Sequence, residues 1–183
     1  MYEIDLVLFL LSNKPLSCYL FRMEKFRKLK LSKGMLQAIE EAHFTEPSEI
    51  QEKAIPLILE GKDVVGSSAT GSGKTLAFAV GIIKKVEMGK GVQALVVTPT
   101  RELAEQVARH MRIFSKHFSL TVQDIFGGVS IIPQIKKLET ADIVVGTPGR
   151  ILDHLDRRTL KLNRIKVLVL DEADRMLDMG FIQ

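Results

Sequence analysis

The chain has 183 residues, of which 46% are hydrophobic and 26% are charged. These values exclude a fibrous or wholly disordered chain and leave room for one domain with a substantial core. The formal net charge of +4 permits a nucleic-acid partner without requiring one. A single cysteine, Cys18, excludes an intramolecular disulfide, and no group of Cys and His residues has metal-ligand spacing. We therefore expect a reducing, cytoplasmic setting.

Residues 1–22 differ in character from the rest of the chain. The apolar run at residues 6–11 is too short to span a membrane, and Glu3 and Asp5 precede it where a signal peptide would carry positive charge. The sequence therefore predicts no membrane partner. Met23 opens a stretch typical of the start of a soluble domain. We hypothesise that Met23 is the biological start and that residues 1–22 are a leader outside the biological protein.

The remaining sequence divides into two parts. Residues 23–62 are predicted to form an N-terminal helical segment, and from Asp63 onward short β-branched runs alternate with helical patterns. Such alternation predicts βαβ crossovers and a buried, mostly parallel sheet. We therefore predict a doubly wound α/β domain over residues 63–183, with ligands beyond the carboxyl ends of the strands. The predicted strands, in chain order, are DVVGSS, VQALVVT, LTVQDIF, DIVVGT and IKVLVLD.

One predicted helix, RELAEQVARHMRIFSKHF, shows its core face clearly. Its apolar residues form one stripe at helical period: Leu103, Val107, Met111, Phe114 and Phe118. His110 and His117 border this stripe, and we interpret them as partly exposed helix residues because no third ligand is spaced to complete a metal site.

The segment SATGSGKT follows the first predicted strand and leads into a helix with apolar residues at Leu76, Val80 and Ile83. It predicts a phosphate-binding loop, because glycines let successive N–H groups face an anion and the helix N-terminus adds partial positive charge. Ser68 replaces the first glycine of the usual pattern, so a glycine-rich turn with an incidental lysine is the alternative. The predicted nucleotide-binding residues are Ser68, Ala69, Thr70, Gly71, Ser72, Gly73, Lys74 and Thr75.

Acidic residues follow the last predicted strand, at the sheet edge where the phosphate loop also lies. Lys74 would pair with the outer phosphates, and Thr75 would offer its hydroxyl to Mg²⁺. One carboxylate together with the nucleotide phosphates is enough to hold Mg²⁺, and Asp171 is the predicted carboxylate. Glu172 would orient or deprotonate the attacking water. The alternative is that Asp171 caps the following helix, with Asp174 as the third residue of a capping box. Both roles are compatible, because they use different lone pairs.

Four motifs then occur in a fixed order: PTRELA at 99–104, a glycine pair at 127–128, TPGR at 147–150 and DEAD at 171–174. In these motifs the chain resembles the DEAD-box ATP-dependent RNA helicases, from about residue 26 to its end. The resemblance implies a RecA-like P-loop NTPase domain 1 and an enzyme that couples ATP binding and hydrolysis to RNA strand separation. Catalytic roles would fall to Lys74, Asp171 and Glu172, with ATP and Mg²⁺ as cofactors.

The resemblance also assigns an adenine-reading segment. In the family an aromatic ring stacks on the base and a glutamine binds its edge, and the matching positions are Phe26 and Gln51. His43 and Ser48 depart from the family pattern. From the residues alone, Ser48 and Gln51 form a capping box at a helix start, which is the alternative role for Gln51.

RNA contacts in the family come from loops at the strand ends. Backbone N–H groups and nearby arginines at such places hold phosphates without reading bases, so we expect sequence-independent binding. Without the family pattern, single arginines are more often solvated surface residues. The matching residues here are Pro99, Thr100, Arg101, Gly127, Gly128, Thr147, Pro148, Gly149 and Arg150.

Two family features are missing from the sequence after the DEAD motif: an S-A-T coupling motif and a second helicase domain with arginines for the γ-phosphate. The SAT at 68–70 belongs to the phosphate loop. Because an arginine finger contributes about 10³ to 10⁵ in rate, we expect this C-terminally truncated chain alone to bind ATP weakly and to hydrolyse it hardly at all. The truncation should also expose an apolar sheet edge that invites aggregation. An ATP-gated RNA clamp without unwinding, or a DNA-directed P-loop NTPase, remain alternatives.

Overall fold

The computed structural model describes residues 23–69 and 71–181, and all elements below lie in these ranges. The predicted leader at residues 1–22, including Cys18, and the phosphate-loop residue Thr70 lie outside the described residues. No helix within these ranges is long and apolar enough to cross a membrane.

The elements alternate between helix and strand after an all-helical start. The described part of the first helix, α1, covers residues 23–28. The other helices are α2 Lys33–Glu41, α3 Glu49–Leu59, α4 Lys74–Lys85, α5 Arg101–Ser115, α6 Ile132–Leu138, α7 Pro148–Asp156 and α8 Ala173–Asp178. The strands are β1 Ala94–Val97, β2 Val122–Ile125, β3 Ile143–Gly146 and β4 Val167–Leu170. A 3-10 turn, Lys116–Phe118, follows α5.

The four strands form one parallel sheet in the order β2-β3-β1-β4. The central strand β1 pairs with both β3 and β4, and its Ala94 lies opposite Ile143 and Val167. The parallel direction brings the segments that follow all four strands to one edge of the sheet. Four of the five predicted strands are thereby confirmed, with slightly shorter bounds.

Side chains of the central strands alternate between two cores, one on each face of the sheet. Val96 and Val145 pack into a large core with residues of α2 to α5. Leu95 and Val144 pack into a smaller core with Leu138 of α6 and Ile151 of α7. Helices therefore cover both faces, which confirms the doubly wound α/β fold.

The large core confirms the predicted helix faces. In α5, Val107, Met111 and Phe114 are buried, and Leu103 and Phe118 pack against the same core. In α4, the predicted positions Leu76, Val80 and Ile83 are all buried. The apolar period of the sequence was sufficient to identify these faces because each lies against the large core.

The predicted strand DVVGSS is wrong. Residues 62–69 have no regular secondary structure, and the side chain of Val65 is fully exposed. A strand requires a neighbour for its N–H and C=O groups, and within the described residues the sheet ends at β4. An apolar β-branched run without a neighbouring strand therefore stays irregular.

The last strand is half buried, although its apolar sequence predicted burial in the sheet. Val167 and Val169 pack against the large core, whereas Leu168 and Leu170 are 59% and 48% exposed. The described residues leave this face of β4 uncovered, and the predicted aggregation at an apolar sheet edge stays a prediction.

Candidate nucleotide and RNA site

The phosphate loop folds back over its own lysine. Lys74 begins α4, and its Nζ donates hydrogen bonds to the carbonyl oxygens of Ser68 at 2.6 Å and Ala69 at 3.3 Å. The Ser68 and Ser72 hydroxyl oxygens lie 2.7 Å apart. The predicted order of loop and helix is confirmed, and an anion would offer the lysine an alternative partner.

The side chains of Gln51 and Ser48 are hydrogen bonded to the phosphate loop. The predicted capping box at the start of α3 is confirmed, since Ser48 N donates to Gln51 Oε1 at 3.0 Å. The same side chains reach the phosphate loop: Gln51 Nε2 donates to the carbonyl oxygen of Gly73 at 3.0 Å, and Ser48 Oγ donates to that of Ser72 at 2.7 Å. Gly73 has φ +90°, and a Cβ there would collide with Gln51 Nε2, so only glycine fits.

The other residue predicted to contact adenine, Phe26, is inaccessible in the structure. The Phe26 ring is completely buried in the large core, and Gln51 is only 1% exposed. Adenine stacking by Phe26 stays a prediction, and it requires the ring to become accessible first.

The acidic residues follow β4 as predicted. Asp171 is 8% exposed, and its N–H donates to the carbonyl oxygen of Val97 at 2.9 Å, which extends the pairing with β1. Burial raises the pKa of the Asp171 carboxyl; the positive charge of Lys74 opposes this shift and the negative charge of Glu172 adds to it. The helix that begins at Lys74, α4, packs against β4, the strand that directly precedes Asp171.

Glu172 occupies an unusual backbone position. It has φ 53° and is the N-cap of α8, without a capping bond from its side chain. Its carboxylate pairs instead with Arg175, Oε2 to Nη1, at 3.3 Å. The alternative in which Asp171 caps the helix is therefore wrong: the left-handed turn at Glu172 moves the helix start one residue later.

The residues present fit a magnesium ion held chiefly by a nucleotide. Within residues 23–69 and 71–181, no three His, Cys, Asp or Glu side chains cluster as metal ligands. Mg²⁺ needs only one or two carboxylates when phosphates and waters complete its shell. Asp171 is a buried carboxylate with a raised pKa, so a cation would offset the cost of its charge. Thr75 lies half buried in the first turn of α4.

The predicted RNA-binding loops lie beside one another, because β1, β3 and β2 are adjacent strands. Thr100 caps α5, with its Oγ1 accepting from Leu103 N at 3.3 Å. Arg101 bonds Glu105 through Nε at 3.0 Å, and its guanidinium lies 4.8 Å from the centre of the Phe126 ring. Phe126 directly follows β2 and precedes the glycine pair, so Arg101 connects two of the loops.

The glycine pair and the TPGR segment also meet. Gly127 and Gly128 form an exposed turn, and Thr147 and Pro148 begin α7. The side chain of Arg150 is only 11% exposed, and its Nη2 donates to the carbonyl oxygen of Val129 at 2.9 Å. All nine predicted RNA-binding residues thus lie on one sheet edge, but Arg150 contacts protein.

Three residues of this edge were missed by sequence reasoning. Phe126 stacks under Arg101, and Gln134 and His154 form a buried pair behind the loops. The available signal was that His154 lies three residues after Ile151 on the buried face of α7.

Comparisons with known proteins identify the family of the chain. Residues 48–183 match the sequence model of the DEAD/DEAH box helicase family. Over 159 residues the chain is 49% identical to a probable ATP-dependent RNA helicase of Methanocaldococcus jannaschii, covering 86% of the chain and 43% of that protein. Among solved structures, a DEAD box protein of Methanococcus jannaschii matches with a TM-score of 0.80 and 48% identity, covering 86% of this chain and 44% of the other.

A second solved structure gives the same result. The hypothetical ATP-dependent RNA helicase of Sulfolobus tokodaii matches with a TM-score of 0.76 and 43% identity, covering 82% of this chain and 44% of the other. The chain therefore spans less than half the length of the relatives that it matches.

Proposed function

Because the chain belongs to the DEAD/DEAH box helicase family, we propose that it is the N-terminal, ATP-binding portion of an RNA helicase that couples ATP hydrolysis to RNA strand separation. The observation that carries this proposal is the pairing of a phosphate loop with a buried carboxylate. Asp171 directly follows β4, and β4 packs against α4, the helix that begins at Lys74. A phosphoryl-transfer site needs both groups, one for phosphates and one for a metal ion.

Each residue of the site has a defined task in this proposal. Lys74 exchanges its loop carbonyl partners for the outer phosphates of ATP. Asp171 and Thr75 would hold Mg²⁺, which would supply positive charge to the transferred phosphate. Glu172 orients the attacking water, for which it must leave Arg175. Gln51 reads the adenine edge, together with Phe26 once that ring is accessible.

RNA binds along the other part of the same edge. Helix starts at Thr100 and Thr147 and the turn at Gly127 and Gly128 supply backbone N–H groups, and Arg101 supplies positive charge. Such contacts hold phosphates and sugars and do not read bases. The expected partner is therefore RNA of any sequence, in a cytoplasmic setting.

The 183-residue chain is expected to turn over ATP slowly. It spans under half of its relatives, and we assign the remaining groups of the site to a second helicase domain of the complete protein. Residues 1–22, 23–62 and 63–183 then correspond to a leader, the adenine-reading segment and helicase domain 1.

Binding of a labelled ribo-oligonucleotide tests the RNA part of this proposal, with competition by the deoxyribo-oligonucleotide of the same sequence. Contacts to the 2′-hydroxyl should make RNA the better competitor. Equal competition would favour a DNA-directed NTPase instead. ATP turnover measured in the same samples should be slow with or without RNA, and rapid RNA-stimulated turnover would contradict the need for a second domain.

A further inference from the structure

Gln134 and His154 form a buried polar pair between α6 and α7. Their exposed fractions are 5% and 0%, and His154 Nε2 lies 3.4 Å from Gln134 Oε1. Burying an amide and an imidazole costs free energy unless both are hydrogen bonded. Since the same helices also bury apolar residues, Leu138 and Ile151, core packing alone does not require polar groups here.

The amide of Gln134 is bonded to both ends of the glycine turn. Its Nε2 donates to the carbonyl oxygen of Phe126 at 3.2 Å and to that of Ser130 at 3.4 Å. Between these two carbonyls lie the exposed Gly127 and Gly128, the latter with φ +78°. Glycines have wide conformational freedom, so the two bonds restrict a turn that would otherwise sample many shapes.

The hydrogen bonds of Gln134 place a proton on Nε2 of the His154 ring. Carbonyl oxygens only accept, so the Gln134 nitrogen must face the turn and its Oε1 must face His154. His154 Nε2 therefore donates to Gln134 Oε1, and Nδ1 lies 2.8 Å from the Thr159 hydroxyl oxygen, which also lies 3.1 Å from the backbone carbonyl oxygen of His154. Contacts at both ring nitrogens thus connect α7, through Gln134, to the glycine turn.

A second connection runs from the first turn of α7 to the same loop. Arg150 Nη2 donates to the carbonyl oxygen of Val129 at 2.9 Å, between the two carbonyls bound by Gln134. Arg150 Nη1 is buried and has no hydrogen-bond partner within the described part of the chain. The glycine turn is thus attached to α7 both from within the core and at its outer side.

We propose that Gln134 and His154 are positioning residues that hold the glycine turn at a fixed offset from the first turn of α7, so that both bind phosphates of one RNA strand together. This inference rests on the proposed RNA binding. Each loop alone offers a few backbone N–H groups. Holding the loops in register makes the second contact intramolecular and removes the cost of ordering the turn on binding.

The test measures binding of a labelled single-stranded oligouridylate to the 183-residue chain over a range of salt concentrations. The double variant Gln134→Leu with His154→Leu replaces both partners by apolar groups, which preserves folding better than leaving one partner unpaired. We expect about tenfold weaker RNA binding, with the salt dependence and the Mg–ATP affinity unchanged. His154→Gln, which keeps an N–H donor, should stay within about twofold of the unmodified chain.

The matched control makes the same two substitutions on another helix, Gln106→Leu with His110→Leu, on the outer side of α5. Equal RNA affinity of the double variant and this control would overturn the positioning role and leave the proposed function in place. Parallel loss of RNA and ATP binding would also overturn it, because it would indicate a general structural role. Absence of RNA binding by the unmodified chain would overturn both proposals.

If the double variant does not fold, amide hydrogen exchange of the unmodified chain tests the proposal instead. Oligouridylate should slow amide exchange at residues 127–130 and in the first turn of α7 together. Protection of only one of these segments would overturn the proposal.

Discussion

The side-chain amide of Gln51 donates a hydrogen bond to the carbonyl oxygen of Gly73, the residue that directly precedes the phosphate-loop lysine, at 3.0 Å. Gln51 also closes the capping box of α3 through its Oε1. The Gln51 side chain thus connects the helical segment to the phosphate loop. A ligand that binds its amide must therefore displace its hydrogen bonds to both.

Gln51→Glu removes the amide donor with almost no change of shape. The carboxylate cannot donate to Gly73, so we expect the free energy of unfolding to fall by about 1–3 kcal/mol. Nucleotide affinity should fall as well, because the loop loses its support. Denaturant unfolding and ATP titration measure the two effects. Gln106→Glu, on an exposed side of α5, should change neither, and a stable variant with normal ATP affinity would contradict the role of Gln51.

Asp171→Asn is expected to stabilise the chain while removing its metal contact. Burial raises the pKa of the Asp171 carboxyl, which means that its negative charge is disfavoured in the folded state at neutral pH. A neutral amide avoids this cost, so the melting temperature should rise in the absence of nucleotide. Mg²⁺ should then no longer strengthen ATP binding. A lower melting temperature together with intact Mg²⁺ dependence would show that Asp171 has a different role.

Arg101→Ala tests the charge at the RNA edge. The side chain is 47% exposed and contacts Phe126 and Glu105. Loss of one phosphate contact should lower the slope of log affinity against log salt by about 0.7 for a single strand, with weaker binding to every sequence. Arg109→Ala, an exposed arginine of the same helix, is the control. An unchanged slope for Arg101→Ala would place this residue outside the RNA contact.

His154 should make the stability of the chain sensitive to acid. Burial lowers the pKa of His154, and the charges of Arg150 and Arg157 act in the same direction while Asp153 opposes them; α6 presents only the neutral Gln134. A histidine whose folded pKa lies below its unfolded value of about 6.5 stabilises the fold above that pH, and this contribution is lost as the pH falls.

Melting temperatures between neutral and mildly acidic pH measure this effect. The unmodified chain should lose more stability on acidification than the His154→Gln variant. Identical pH profiles would show that protonation of His154 is not linked to folding.

Local patterns identified much of the fold and of the nucleotide site. The apolar stripe of α5, the capping box of Ser48 and Gln51 and the position of Asp171 after an apolar strand depend on neighbours in sequence. A phosphate loop is likewise one continuous segment, so Lys74 and the surrounding glycines are sufficient to predict its chemistry.

The remaining features depend on residues that are distant in sequence. Val64 and Val65 have the composition of a strand, but a strand forms only beside another, and the sequence of a segment does not report whether a neighbour exists. Gln134 and His154 are 20 residues apart and meet because β2 and β3 are adjacent. The burial of Phe26 likewise follows from how α1 packs, which its own sequence does not encode.

The most direct test of the proposed nucleotide site is the titration of the chain with a fluorescent ATP analogue in the presence of Mg²⁺. The variants Lys74→Ala and Lys90→Ala are titrated in the same way. We predict saturable binding that ATP displaces and GTP does not, that is lost in Lys74→Ala, and that is retained in Lys90→Ala, where the lysine is exposed outside the site. No saturable binding by the unmodified chain, or equal binding by Lys74→Ala, would contradict the proposal that this phosphate loop holds ATP.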